Sequence, residues 1–178
     1  MPAAARIRSH HPMPSVHISV TVRPLTISDL ATCAWSGGPG HLDAVADALR
    51  APDFDYLAVC PEASGLPVAI GGVNFAPRPG AGEITQLGVH PALQSCGLGT
   101  ILITALEDRV TARGLTVAEL GVETTNPRAR ALYERLGYRA FDTVRTGWDR
   151  RTEDGTVYRY ETDCVEMRKH LTSASPGT

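Results

Sequence analysis

Apolar and polar positions change period several times along the chain, and each change marks an element. ISVTVRPL (18–25) alternates and is rich in β-branched residues, which predicts a strand ending near Pro24. TISDLATCAW and HLDAVADALR carry apolar residues at helical spacing and predict two short helices, with SGGPG (36–40) as a breaker between them. YLAVCP and LPVAIGGVNFA predict a β-hairpin with a four-to-five-residue connection, followed by the turn APRPGAG (76–82). EITQLGVHP is a strand, and GLGTILITALEDRVTARG is a helix with Ile101, Leu102, Ala105, Leu106 and Val110 as its apolar stripe and Gly114 as its stop. TVAELGVET is a further strand. NPRARALYERLGY is a helix starting at Asn126, with Pro127 at its first position and Gly137 at its end. RAFDTVRTGW and TVYRYETDCVEMRKHL then close the chain as an antiparallel hairpin around RRTEDG.

This order predicts an α/β (α+β) fold: a mixed, mostly antiparallel sheet of about seven strands with helices on both faces. The strands at Glu83 and Thr116 are joined through a long helix and are therefore expected to be parallel neighbours. Residues 16–171 form one expected domain. Residues 1–15 and 172–178 are expected to be disordered tails.

Composition narrows the chemistry. The chain has 178 residues with 43% apolar content, enough for one full core, and a net charge of −2 supplies no basic field for nucleic acid. Cys33, Cys60, Cys96 and Cys164 are scattered, with no C-x-x-C pair and no ligand spacing, so no metal is expected and reduced thiols point to the cytoplasm. MPAAARIRSHHPMP lacks the apolar run of a secretory signal, and no stretch approaches the ~20 apolar residues of a membrane span.

The candidate chemistry begins at QSCGLGT (94–100), which stands between a strand and a helix. Unpaired N–H groups at a helix N-terminus bind anions, and Gly97 and Gly99 let one approach the backbone; a tight turn alone would also use these glycines. A P-loop would need Lys-Ser/Thr after Gly99, where Thr100 and Ile101 stand, and a dinucleotide fingerprint would need a small residue at Leu102. Neither pattern is present. Asn126 and Tyr133 are seven positions apart, so both project from one helix face, and Asn126 also suits an N-cap.

LGVHPALQSCGLGT resembles the acetyl-coenzyme A signature V-x-P-x-x-Q/R-x-x-G-x-G/A of the GNAT superfamily of N-acetyltransferases. Val89, Pro91, Gln94, Gly97 and Gly99 occupy its fixed positions, and N-x-x-A-x-x-L-Y follows as Asn126, Ala129, Leu132 and Tyr133. The sequence departs at Ser95, often glycine, and at Cys96, often basic or small. The resemblance implies that the pyrophosphate rests on Gln94, Ser95, Cys96, Gly97, Leu98, Gly99 and Thr100, and that the pantetheine arm pairs with backbone around Leu87, Gly88 and Val89. Asn126 and Tyr133 complete the coenzyme contacts.

A bulge at Gly88 is expected to aim an N–H at the thioester carbonyl, with the Leu87 N–H as oxyanion donor. Tyr133 is the expected general acid for the thiolate. Glu83, eleven residues before Gln94 and on the same strand face as Leu87 by alternation, is the candidate base or else a solvated strand-end carboxylate, with Asp163, Glu161 and Glu123 as substitutes.

The expected reaction is direct acetyl transfer from acetyl-CoA to a primary amine of a small molecule or peptide. The alternative is a non-catalytic acyl-CoA-binding sensor or subunit. Specificity is assigned to the region of Trp35, SGGPG and His41, and to the closing hairpin with Trp148, Asp149 and TEDG. Exposed edges of that hairpin allow a homodimer.

Overall fold

The computed structural model describes residues 17–38, 40–152 and 154–172; most of both expected tails, together with Pro39 and Glu153, lie outside the described residues. Seven strands form one sheet: β1 (Val20–Pro24), β2 (Phe54–Pro61), β3 (Ala69–Asn74), β4 (Ala81–Val89), β5 (Val117–Glu123), β6 (Arg139–Arg151) and β7 (Val157–His170). Their spatial order is β1-β2-β3-β4-β5-β7-β6. Every neighbouring pair is antiparallel except β4–β5, which is parallel as the crossover through a helix requires. The closing hairpin turns its second strand inward, so β7 pairs with β5 and the long β6 becomes an edge.

Among the described residues three α-helices accompany the sheet: α1 (His41–Ala48), α2 (Leu98–Ala112) and α3 (Pro127–Arg135). α2 and α3 cover one face, where Leu57, Val59, Ile84, Leu98, Leu102, Leu106, Tyr133 and Tyr138 belong to one apolar cluster. α1 covers only the β1–β3 half of the other face, over Leu25, Val45, Tyr56 and Ile70. Among the described residues no helix lies on the remaining half of that face, on β4, β5, β7 and β6. That vacancy positions the site.

Several local expectations are corrected. The first predicted helix is two short 3-10 turns, Ile27–Thr32 and Ala34–Ser36, because the capping box between Thr26 and Asp29 stabilises only a single tight start before Cys33 closes on Leu30. The β2–β3 connection runs from 62 to 68, longer than expected, since Pro67 and Val68 precede the ladder. On α2 the buried stripe is Leu98, Leu102, Ile103, Leu106 and Val110, whereas Ile101 is exposed. Each of these fully buried aliphatic side chains contributes about 1.5–3 kcal/mol.

The bulge lies at Gln86–Leu87 rather than Gly88. Ile70 pairs with Gly88 and Gly72 with Thr85, so two residues of β4 oppose the single Gly71 of β3, and Gln86 takes φ +53°. A Cβ on Gly71 would fall 2.6 Å from Leu87 Cδ2, so the bulge has room only because this position lacks a side chain. The extra residue also reverses the alternation. Ile84 and Leu87 both face α2, while Gln86 turns to the other side and accepts a 2.7 Å hydrogen bond from Tyr56 Oη. The expected common face of Glu83 and Leu87 is therefore absent.

Candidate functional site

The β4–β5 pairing runs from Ala81↔Val117 to Ile84↔Leu120 and then stops, although β4 continues to Val89 and β5 to Glu123. Beyond Ile84 the two parallel strands separate, and the backbone of residues 85–89 borders the gap. The gap opens on the turn before α2, where Ser95 and Gly97 adopt φ +66° and +84°. Alternating left-handed residues at a helix N-terminus turn successive N–H groups inward, which makes a cradle for an anion.

The glycines serve two different needs. Gly97 needs its positive φ, and a Cβ there would meet nothing within 4 Å. Gly99 serves close packing, since a Cβ there would lie 3.2 Å from Leu132 Cδ2, the end of a side chain that would have to give by a few tenths of an ångström.

A cavity of about 410 Å³ joins these parts. Its wall includes Leu87, Val89, Gln94, Ser95, Gly97, Leu98, Gly99, Thr100, Asn126 and Tyr133, ten of the positions expected to bind the coenzyme. Gly88 and Cys96 do not line it. Gly88 is directed toward Trp35 and Ser36 on the opposite sheet face, and the exposed Cys96 thiol lies 3.7 Å from Gln94 O.

Arg128 is a wall residue that the motif reading missed. Its guanidinium donates to Gln94 Oε1 at 3.2 Å and Ser95 Oγ at 2.6 Å, so a full positive charge stands at the cradle where neither Ser95 nor Cys96 provides one. Its signal was the NPRAR stretch at the start of α3, but only the packing of α3 against the turn connects the two.

Asn126 caps α3, with Oδ1 accepting from Ala129 N at 3.1 Å, and it also lines the cavity. Tyr133 is 8% exposed, and burial pushes its phenol up to about 12, so it stays protonated throughout the neutral range.

A second cavity, about 900 Å³, occupies the uncovered half of the other sheet face. Leu87, Asn126, Ala129 and Tyr133 belong to both walls, so the two cavities adjoin along these residues. Glu83, Glu123, Glu166, Asp149, Trp148, His41, Arg150 and Arg151 line the second one. Glu83 is half-buried, and burial raises its carboxyl above the usual range, with Arg78 acting partly in the opposite direction.

Glu123 accepts from Tyr160 Oη at 2.6 Å, and the Arg150 guanidinium lies 3.8 Å from the centre of that ring. Glu161 and Asp163 line neither cavity and both pair with Arg145. Trp35 packs against the α1-side core and edge-on to His90, while Trp148 faces the second cavity. Among the described residues no cluster of His, Cys, Asp or Glu could hold a metal ion, the four cysteines are free, and no helix is long and apolar enough to cross a membrane.

Comparison with known proteins agrees with this architecture. The Mycothiol acetyltransferase of Mycobacteroides abscessus is 34% identical over 146 residues, covering 71% of this chain and 48% of that protein. Its counterpart in Beutenbergia cavernae is 48% identical over 62 residues, covering 35% of this chain and 21% of that protein. The chain thus spans about half or less of the length of these curated relatives.

Among solved structures, the ribosomal-protein-S18-alanine N-acetyltransferase of Escherichia coli superposes with a TM-score of 0.68 at 22% identity, covering 90% of this chain and 99% of that one. A Salmonella typhimurium protein solved with its cofactor acetyl-CoA gives 0.66 at 19% identity, covering 90% and 98%. These two likenesses concern the fold alone. A sequence model of the Acetyltransferase (GNAT) family matches residues 26–138, well over half of the chain. The chain belongs to the GNAT family of acetyltransferases.

Proposed function

We propose that the protein transfers the acetyl group of acetyl-CoA to a primary amine of a small molecule or peptide by direct attack. The observation that carries this reading is the meeting of two cavities at Leu87, Asn126 and Tyr133. One has an anion cradle and an opened pair of parallel strands. The other has carboxylates on its wall, including Glu83, which is unpaired among the described residues.

The residues present fit coenzyme A. The cradle of Ser95 and Gly97, with Arg128 beside it, suits a pyrophosphate, and the backbone of 85–89, unpaired with β5, suits the amides of an extended arm. Bound there, the coenzyme supplies an activated acyl thioester. The chain's own groups do the rest. Leu87 N–H, at the bulge, is assigned to donate to the carbonyl oxygen as negative charge develops on it, a type of contribution worth about 3–4 kcal/mol elsewhere.

Glu83 takes the proton of the incoming ammonium, since an alkylammonium has no lone pair for attack. Tyr133, protonated and shared by both cavities, gives its proton to the departing sulfur. Glu83 and Glu123 stand in no ion pair among the described residues and line the acceptor cavity, so a cationic amine finds carboxylate partners there. The same reading places the protein in the cytoplasm, with the β6 edge available to a second copy.

Thermal unfolding with and without acetyl-CoA, followed by thiol release against an amine panel, tests this reading. A ligand at 100 times its dissociation constant should stabilise the fold by about 2.7 kcal/mol. A shift with no turnover on any amine would instead support a non-catalytic acyl-CoA sensor. No shift at saturating coenzyme would overturn the assignment.

A further inference from the structure

Glu83 stands in a row of charged side chains that crosses the uncovered sheet face. In register it pairs with Glu119 on β5, Glu119 pairs with Arg168 on β7, and Gly121 pairs with Glu166. Partners in register share a face, so these groups all point to the acceptor side. Arg78, on the β3–β4 turn, reaches into the row. Its Nη1 lies 2.8 Å from Glu119 Oε2 and its Nη2 lies 2.7 Å from Glu166 Oε2. Arg168 holds the other oxygen of Glu119 through Nε at 2.9 Å and Nη2 at 2.5 Å. Glu83, immediately beside Glu119, has neither a hydrogen bond nor an ion pair from its side chain among the described residues.

Arg78 is close enough to Glu83 to lower its proton affinity, yet it does not pair with it. The two more deeply buried carboxylates hold both arms of its guanidinium: Nη2 donates to Glu166 Oε2, and Nη1 stands in ion-pair contact with Glu119 Oε2. A planar fork engaged at two acceptors cannot swing to a third without breaking both contacts.

We propose that Glu119 and Glu166 are positioning residues: by holding Arg78 between them they keep its charge off Glu83, whose carboxylate stays unpaired in the acceptor cavity and free to take the ammonium proton. This rests on the reading of Glu83 as base. In the step concerned, the proton passes from the acceptor nitrogen to a Glu83 oxygen. The nitrogen lone pair then forms the C–N bond as the C–S bond breaks and Tyr133 protonates the sulfur; the second proton of the attacking nitrogen leaves to solvent as the neutral amide forms, Tyr133 regains a proton from solvent, and Glu83 releases its own.

The consequence of losing the fork is large. A carboxylate in contact with a guanidinium titrates about one to three units lower, and so weak a base removes a proton from an amine poorly. The other charged or titratable groups facing this cavity are His41 on α1, Glu123 on β5, Tyr133 on α3, Asp149, Arg150 and Arg151 on β6, and Tyr158 and Cys164 on β7. None makes a hydrogen bond or ion pair with Glu83.

The test is the titration of the Glu83 carboxyl by carbon NMR on the free protein, with its resonance identified by its loss in Glu83→Gln. Glu166→Gln should lower the Glu83 midpoint by about one unit or more as Arg78 turns to it, and the fall should disappear in Glu166→Gln/Arg78→Met, where the arginine that turns is gone but the lost Glu166 charge remains lost. Arg78 is 35% exposed on a turn and tolerates change, and Glu119→Gln, which frees its other arm, carries the same test if Glu166→Gln does not fold. The acid limb of kcat/KM should move with each midpoint. A Glu83 midpoint that stays in place or rises in the folded single variants, or a fall that persists in the double variant, overturns the proposal. An unchanged acid limb in Glu83→Gln is a separate result, which removes the base assignment itself.

Discussion

Arg128 Nη2 donates to Ser95 Oγ across 2.6 Å and thereby ties the first turn of α3 to the turn that opens α2. The contact brings a guanidinium to an anion cradle from a helix 33 residues further along the chain. Arg128→Ala should weaken coenzyme binding by about 1.5 kcal/mol, roughly tenfold in Kd, the cost of one charge-assisted hydrogen bond. Titration calorimetry with acetyl-CoA at two salt concentrations checks this, because the wild-type affinity should fall with salt more steeply than that of the variant.

Tyr133 is buried, and its phenol is pushed up to about 12. Tyr133→Phe keeps the ring and removes the proton, so kcat should fall about 100-fold or more while coenzyme affinity stays within about twofold. The sign of the shift also predicts the pH profile. Since the acid form persists up to about 12, no alkaline decline between pH 7 and 10 should be traceable to Tyr133.

Gly97 and Gly99 should respond oppositely to alanine. At Gly97 the φ of +84° penalises any Cβ, and Gly97→Ala should destabilise by about 1–2 kcal/mol. At Gly99, inside α2, alanine gains up to about 1 kcal/mol of helix propensity and pushes only on the end of Leu132, so urea midpoints should barely move. Equal losses at both sites would mean that the two glycines share one role.

The hydrogen bonds from Arg23 hold the Asp29 carboxyl well below the usual carboxylate range, and its bonds with Thr26 act in the same direction. A depressed folded-state value stabilises the fold above the unfolded value of about 3.9, and the benefit disappears as pH falls toward the folded one. Asp29→Asn should therefore lower the melting temperature at pH 7. The gap to wild type should narrow as the pH drops from about 4 to 2, which a series of thermal melts would show.

Much of this molecule was legible from pattern. Period-two and period-3.6 runs placed β1, β4, β5, α2 and α3 within a residue or two, and in β5 and α2 the repeat of apolar residues follows a buried face. The spacing of Val89, Pro91, Gln94, Gly97 and Gly99 located the cradle, since a turn with positive φ at a helix start needs particular residues at particular places. Pro127 after Asn126 placed the cap of α3 for the same local reason.

What escaped the sequence depends on contacts between distant segments. The bulge at Gln86 exists because Gly71 on the neighbouring strand leaves room for Leu87 and because Tyr56 captures the Gln86 amide. No alternation within β4 could foretell that reversal of faces. Arg128 reaches Gln94 and Ser95, and Arg78 reaches Glu119 and Glu166, only after the sheet has brought their strands and turns together. Local chemistry is written in local spacing, so the sequence alone determined the elements and the cradle. Long-range electrostatics and the meeting of the two cavities require a closed sheet, and the tertiary structure alone decided them.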